Sequence, residues 1–412
     1  MSSSNCSSLR VAAALVAASA IGLALACGGG SSKPPQVITP PGQNVAALSV
    51  NSGPTGNSAN GVFTSVTVCV PGTSTCQTID NVLVDTGSIG LRLLSSSAGG
   101  EFNLSLPSVK DASGNPLASC TQFVDMSFLW GPVRTAEIKV AGETASSVSV
   151  NVFGDPAFTT VPATCSQGSS MNDDSLQAFG ANGVLGLNVF VEDCGPFCVS
   201  GSMIPTGIYY TCPSSGCVPA FVPLAQQISN PVAFFATDNN GVVVELPSVS
   251  SSGQPSASGS LVFGIGTQSN NALGSATVIP LDGSGLFTTA FKGQNYSRSF
   301  VDTGSNGIFF LDSTTTGIPG CTSAMGWYCP SSNQNLSATN MSTVGSGSTS
   351  VNFSVANAET LFSNANNFVF NNLAGPQPNS FDWGLPFYFG RNVFEAIENS
   401  TISGHTGPFI AY

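Results

Sequence analysis

Val82-Leu83-Val84-Asp85-Thr86-Gly87-Ser88 and Phe300-Val301-Asp302-Thr303-Gly304-Ser305 are the stretches on which the reading of this chain turns. Each is an apolar run suited to a buried strand, ending in Asp-Thr-Gly-Ser, where glycine supplies backbone freedom that the other residues lack. Each aspartate is therefore expected at a strand end. One such tetrapeptide is an ordinary turn, because Asp and Ser bond nearby backbone amides. Two copies behind matched apolar runs point further. If the turns face each other, the carboxyls of Asp85 and Asp302 cannot both ionise and must share a proton, making one an acid and the other a base.

A second repeat accompanies the first. Val184-Leu185-Gly186-Leu187-Asn188-Val189-Phe190 follows the first turn and Tyr388-Phe389-Gly390-Arg391-Asn392-Val393-Phe394 follows the second. Two apolar residues, Gly, any residue, then Asn-Val-Phe recur in both halves, as a tandem duplication would leave them. A chain of 412 residues suits two lobes of about 150–200 residues each. Their expected bounds are 45–273 and 274–412. From Val45 onward, short runs of β-branched and aromatic residues are cut by Gly, Pro, Asn and Ser, which predicts an all-β architecture. The best helical candidates are short, Val222 to Ile228 and Val393 to Glu398.

With these motifs in view, the chain resembles the pepsin-like aspartic proteases, and the resemblance covers most of residues 46–412. It implies a bilobal all-β fold, two related β-barrel-like lobes around a cleft, each lobe donating one Asp. It further implies that Thr86 and Thr303 hydrogen-bond across the lobe junction, and that Gly87 and Gly304 shape the turns. Ser88 and Ser305 would bond the outer carboxylate oxygens. Leu185-Gly186 and Phe389-Gly390 would brace the two loops. Ser260 to Gly266 is similar to the strand that closes the first lobe, and Phe128-Leu129-Trp130-Gly131 lies where the family carries its flap, with Trp130 in the aromatic role. The chain departs from the family at Ile89-Gly90 and Asn306-Gly307, in a four-cysteine stretch at 191–219, and in lacking a visible basic prosegment. The implied activity is hydrolysis of an extended polypeptide by an Asp-activated water, without a cofactor. The alternative from another class is a non-catalytic, surface-anchored binding or structural lipoprotein on the same fold.

Composition narrows the choices. Charged residues are 7% of the chain, and 21 acidic against 9 basic groups leave a net charge of −12. So few cations offer no phosphate-neutralising patch, which argues against a nucleic-acid partner. A single histidine, His405, all but excludes serine and cysteine triads. Asp312, Asp382 and Glu395 read as turn or surface acids.

Residues 11–26 are an apolar run too short for a comfortable membrane span and read as the core of a signal peptide over 1–26. Leu25-Ala26-Cys27-Gly28 resembles a bacterial lipoprotein cleavage box. Cys27 would then carry a lipid and anchor the protein to the membrane of the cell envelope, with 27–44 as a flexible tether; an ordinary secretory signal is the alternative. Either way the protein is exported and most simply a monomer. Ten cysteines remain for an oxidising compartment. Short spacings suggest Cys69 with Cys76, Cys194 with Cys198, Cys212 with Cys217 and Cys321 with Cys329, leaving Cys120 and Cys165 as a longer bridge. A metal site is not expected from them.

Overall fold

In the computed structural model the described residues are Gln36 and 38–412. The signal run and Cys27 lie outside them. β-Branched and aromatic residues alternate or cluster in short runs between turn formers, and almost all of these runs are strands. A 15-stranded sheet, a seven-stranded sheet and one two-stranded hairpin hold them. Strand Gly61–Cys69 is typical: Val62, Val66 and Val68 are fully enclosed on one face, while Ser65 points outward.

The long sheet draws on both halves of the chain. Val45–Asn51 pairs with Ala257–Phe263, which pairs with Gly241–Leu246. Gly241–Leu246 then pairs with Arg391–Ala396, and Phe409–Ala411 and Val278–Pro280 complete that edge. Three strands from beyond residue 274 therefore belong to the first half's sheet. The seven-stranded sheet is built wholly from residues 287–383. Residues 36–412 form one compact unit, with a continuous apolar core that includes Val82, Leu185, Phe310 and Trp383.

Two local expectations are corrected. Val393 to Glu398 is not helical; it falls largely in the strand Arg391–Ala396, where register with Gly241–Leu246 satisfies its backbone. Within Val222 to Ile228 only the 3-10 turn Leu224–Gln226 forms. Gln36 and Thr39, expected within the flexible stretch 27–44, are held against the long sheet. The Gln36 side-chain amide donates to the Leu246 and Arg391 carbonyls, and the Thr39 amide donates to Glu245 Oε2, so the chain is already held there.

Candidate active site

Strand Cys76–Asp85 delivers Asp85 as its last residue, and Ile89–Leu94 carries the chain away. Gly183–Leu187 runs between these limbs, parallel to the first (Asp85 opposite Gly186) and antiparallel to the second (Gly90 opposite Gly186). The second half repeats the arrangement. Gln377–Trp383 lies parallel to Gln294–Val301 (Val301 opposite Trp383) and antiparallel to Ile308–Leu311 (Ile308 opposite Trp383). Such threading needs a residue without a side chain where the backbones converge. A Cβ on Gly186 would stand 2.6 Å from the Ile89 nitrogen, and one on Gly384 would stand 2.1 Å from the Gly307 oxygen.

Leu185-Gly186 thus lies between the two limbs of the first turn. Its counterpart in the second half is Trp383-Gly384, and the assignment of Phe389-Gly390 is corrected. Phe389 and Gly390 instead join the long sheet beside Leu246, with the Gly390 amide donating to its carbonyl. The shared Asn-Val-Phe misleads because the two asparagines do different work. Asn188 donates to the Thr86 and Gly87 carbonyls, whereas Asn392 sits in a strand and donates to Glu245 Oε1.

The two Asp-Thr-Gly-Ser turns face each other. A Cβ on Gly87 would lie 2.6 Å from Asp302 Cγ, and one on Gly304 would lie 2.6 Å from Asp85 Oδ1, so each motif's glycine lets the other's carboxyl approach. The same Cβ on Gly304 would stand 3.1 Å from Asp302 Oδ1, so the two carboxyls lie beside each other. Asp85 Oδ1 accepts the amides of Gly87 (2.8 Å) and Ser88 (3.2 Å), and Oδ2 accepts the Ser88 hydroxyl (2.5 Å). Asp302 Oδ1 accepts the Gly304 amide (2.7 Å), and Oδ2 accepts the Ser305 hydroxyl (2.8 Å). Burial first, and then the charge of Asp85, push the Asp302 carboxyl well above the usual carboxylate range.

Below the carboxyls the threonines interlock. The Thr86 amide donates to Thr303 Oγ1 and the Thr303 amide to Thr86 Oγ1, both at 3.1 Å, and Thr303 Oγ1 donates to the Val84 carbonyl at 2.7 Å. The pair is not symmetric. Thr86 Oγ1 meets the Tyr388 hydroxyl at 3.0 Å, and that hydroxyl lies 2.8 Å from Glu395 Oε1.

Asp382 and Glu395, expected on turns or the surface, are among the most buried acids of the site, at 1% and 2% exposure. Asp382 Oδ2 lies 2.6 Å from the Ser305 hydroxyl. Enclosure pushes Asp382 well above, and Glu395 up to about 8. A charged residue between the aromatics of Ser380-Phe381-Asp382-Trp383, in a chain so poor in charge, was the signal that marked Asp382. Asp312 is a turn acid as expected, capping the short helix Ser313–Thr316 through the Thr315 amide.

The flap assignment of Trp130-Gly131 is corrected as well. Trp130 is 1% exposed, its ring packs edge-on against Tyr210, and its Nε1 donates to the Phe158 carbonyl. A Cβ on Gly131 would run into the Val152 carbonyl at 2.0 Å. The apolar side chains that do stand free on this hairpin are Val124 and Met126, at its turn.

All five disulfides pair as the spacings suggest: Cys69–Cys76, Cys120–Cys165, Cys194–Cys198, Cys212–Cys217 and Cys321–Cys329. They mark a protein of an oxidising compartment. The four-cysteine stretch braces the first turn. Its Asp193 pairs with buried Arg92 at 3.0 Å and accepts from the Tyr209 hydroxyl, while Arg92 also holds the Ile89 carbonyl just past Ser88. Cys321, Cys329 and Glu359 come together, but the sulfurs are bonded to each other and Glu359 Oε1 takes three backbone amides. Among the described residues no helix is long and apolar enough to cross a membrane.

Residues 40–412 match the family DUF3443, described as a protein of unknown function. The chain belongs to this family. No curated protein matches it.

Proposed function

We propose that this chain is an exported aspartic endopeptidase of the pepsin-like, bilobal kind, with residues 287–383 as the body of the second lobe. The observation that carries the reading is the pair of carboxyls, Asp85 and Asp302, brought beside each other at the ends of two equivalent strand-turn-strand units. One proton shared between them leaves one carboxylate as base and one carboxylic acid as donor.

A water bound between them loses a proton to the carboxylate while its oxygen adds to the peptide carbonyl carbon. The carboxylic acid gives its proton to the carbonyl oxygen. Collapse of the tetrahedral intermediate then breaks the C–N bond as the newly protonated Asp gives its proton to the amide nitrogen and the other, now ionised, takes a proton from a gem-diol hydroxyl, so the pair stays singly protonated throughout. Ser88, Ser305 and the glycine amides hold the carboxyls in register, and the threonine interlock fixes the two turns against each other. The substrate is an extended polypeptide with apolar side chains beside the cut. Export is supported by the five disulfides together with the apolar run at 11–26, and Cys27 is the proposed point of lipid attachment to the envelope membrane.

The test is digestion of a denatured protein by the chain lacking residues 1–27, from pH 2 to 7. Fragments should appear in acid, and a statine-type peptide should block them. Absence of cleavage at every pH, with the protein folded, would leave the non-catalytic envelope protein as the better reading.

A further inference from the structure

The Ser305 hydroxyl touches two carboxyls at once, Asp302 Oδ2 at 2.8 Å and Asp382 Oδ2 at 2.6 Å. A hydroxyl has one hydrogen to donate. If both carboxyls were ionised, one of these contacts would bring two oxygens together with no hydrogen between them. A carboxyl proton must therefore occupy one contact, and the surroundings decide which group carries it. Asp302 Oδ1 takes a backbone amide in addition to the serine contact. Asp382 has no such support: its Oδ1 is buried without a partner, and the residues paired with it across the sheet are Phe300 and Phe309. The ionisable groups that act on it are Asp302 and Asp85, both acids. A buried carboxyl facing only like charge and aromatic rings keeps its proton.

We propose that Asp382 is a positioning residue that stays protonated and donates through Oδ2 to Ser305, which thereby donates to Asp302. The chain of donors runs Asp382 to Ser305 to Asp302. Its effect is to make Asp302 Oδ2 an acceptor only, so that the proton shared with Asp85 stays on the oxygens turned toward each other. The first half has no such group. By the pairing of Gly186 with Gly384, the residue in the place of Asp382 is Val184, and Ser88 bonds Asp85 without an acid behind it. The two halves are thus chemically unequal, with the third acid on one side only.

The kinetic part of this inference rests on the protease reading, whereas the protonation part does not. Two variants separate a donor from a mere filler: Asp382→Asn keeps an N–H for Ser305 in the same shape, and Asp382→Leu removes it. Infrared difference spectra at pH 7 between the wild type and Asp382→Asn should show loss of one carboxylic-acid carbonyl band. In peptide cleavage at acidic pH, Asp382→Leu should lower kcat about ten- to a hundredfold, as loss of a charge-assisted hydrogen bond does, with KM nearly unchanged. Asp382→Asn should restore most of that loss. A spectrum with no acid band lost, or an Asn variant as impaired as the Leu variant, overturns the assignment. If the wild type cleaves nothing but the band is lost as described, the protease reading falls and the protonated Asp382 stands.

Discussion

Thr303 concentrates the logic of the site in one side chain. Its hydroxyl accepts the Thr86 amide and donates to the Val84 carbonyl, and the residue is fully enclosed. Thr303→Val keeps the shape and removes both bonds, leaving a buried donor and a buried acceptor unpaired. Each such group costs about 1–3 kcal/mol, so urea unfolding should show a loss of about 2–6 kcal/mol. At this scale the sequence was legible where a residue's role follows from its own motif. Asp85, Asp302 and the serines beside them do as Asp-Thr-Gly-Ser suggests. It was illegible where a role depends on a partner far along the chain. Glu395 becomes part of the site only through Tyr388 and Thr86, and Asp382 only through Ser305. Trp130 failed for the opposite reason. Its distance from Asp85 fitted a flap, but the Cys120–Cys165 bridge and Tyr210 close a small apolar cluster around its ring.

At the scale of elements, the decisive unit is a strand threaded between the two limbs of each turn. The apolar-Gly signal was sufficient to find Gly186 in the first half. In the second half two such dipeptides lie six residues apart, and only strand pairing distinguishes Trp383-Gly384 from Phe389-Gly390. The difference is testable. Gly384→Ala would drive a Cβ into the Gly307 and Ser305 carbonyls, at 2.1 and 2.6 Å, and so push the Asp302 turn out of place. It should cost about 1–3 kcal/mol and lower activity per folded molecule. Gly390→Ala meets only the Ser248 side chain, which can turn aside, but its φ of +75° strains an alanine by about 1–2 kcal/mol. That variant should lose stability in thermal melts while its folded fraction keeps its activity. The strand at Arg391–Ala396 shows a related limit. Glu395, Ala396 and Glu398 favour a helix locally, yet pairing with Gly241–Leu246 overrides so weak a preference.

For the whole molecule, scarce charge and buried acids set the response to pH. Asp174 and Asp193 are pushed up to about 6 and Glu395 to about 8, chiefly by burial, and Asp302 and Asp382 shift the same way. In the unfolded chain these groups titrate near 4. Between about pH 4 and 8 the folded protein therefore holds more protons than the unfolded one, and stability falls as pH rises. The favourable contribution is fully present below about pH 4 and is lost through the range of 6 to 8. Asp111, Asp312 and Glu359 shift downward and oppose this in strong acid, but they lie in solvent-screened positions and weigh little. Urea midpoints should thus be highest near pH 4 and drop by at least about 2 kcal/mol of stability by pH 8.

In the proposed mechanism Asp85 and Asp302 act as one proton-sharing unit. This is tested most directly by kcat/KM for peptide cleavage at a single acidic pH in the wild type, Asp85→Asn, Asp302→Asn and the double variant. Each single change should cost at least about a hundredfold, and the double variant should be no worse than the worse single one, because either loss alone disables the pair. Single variants that retain wild-type rates, or losses that multiply in the double variant, would contradict it.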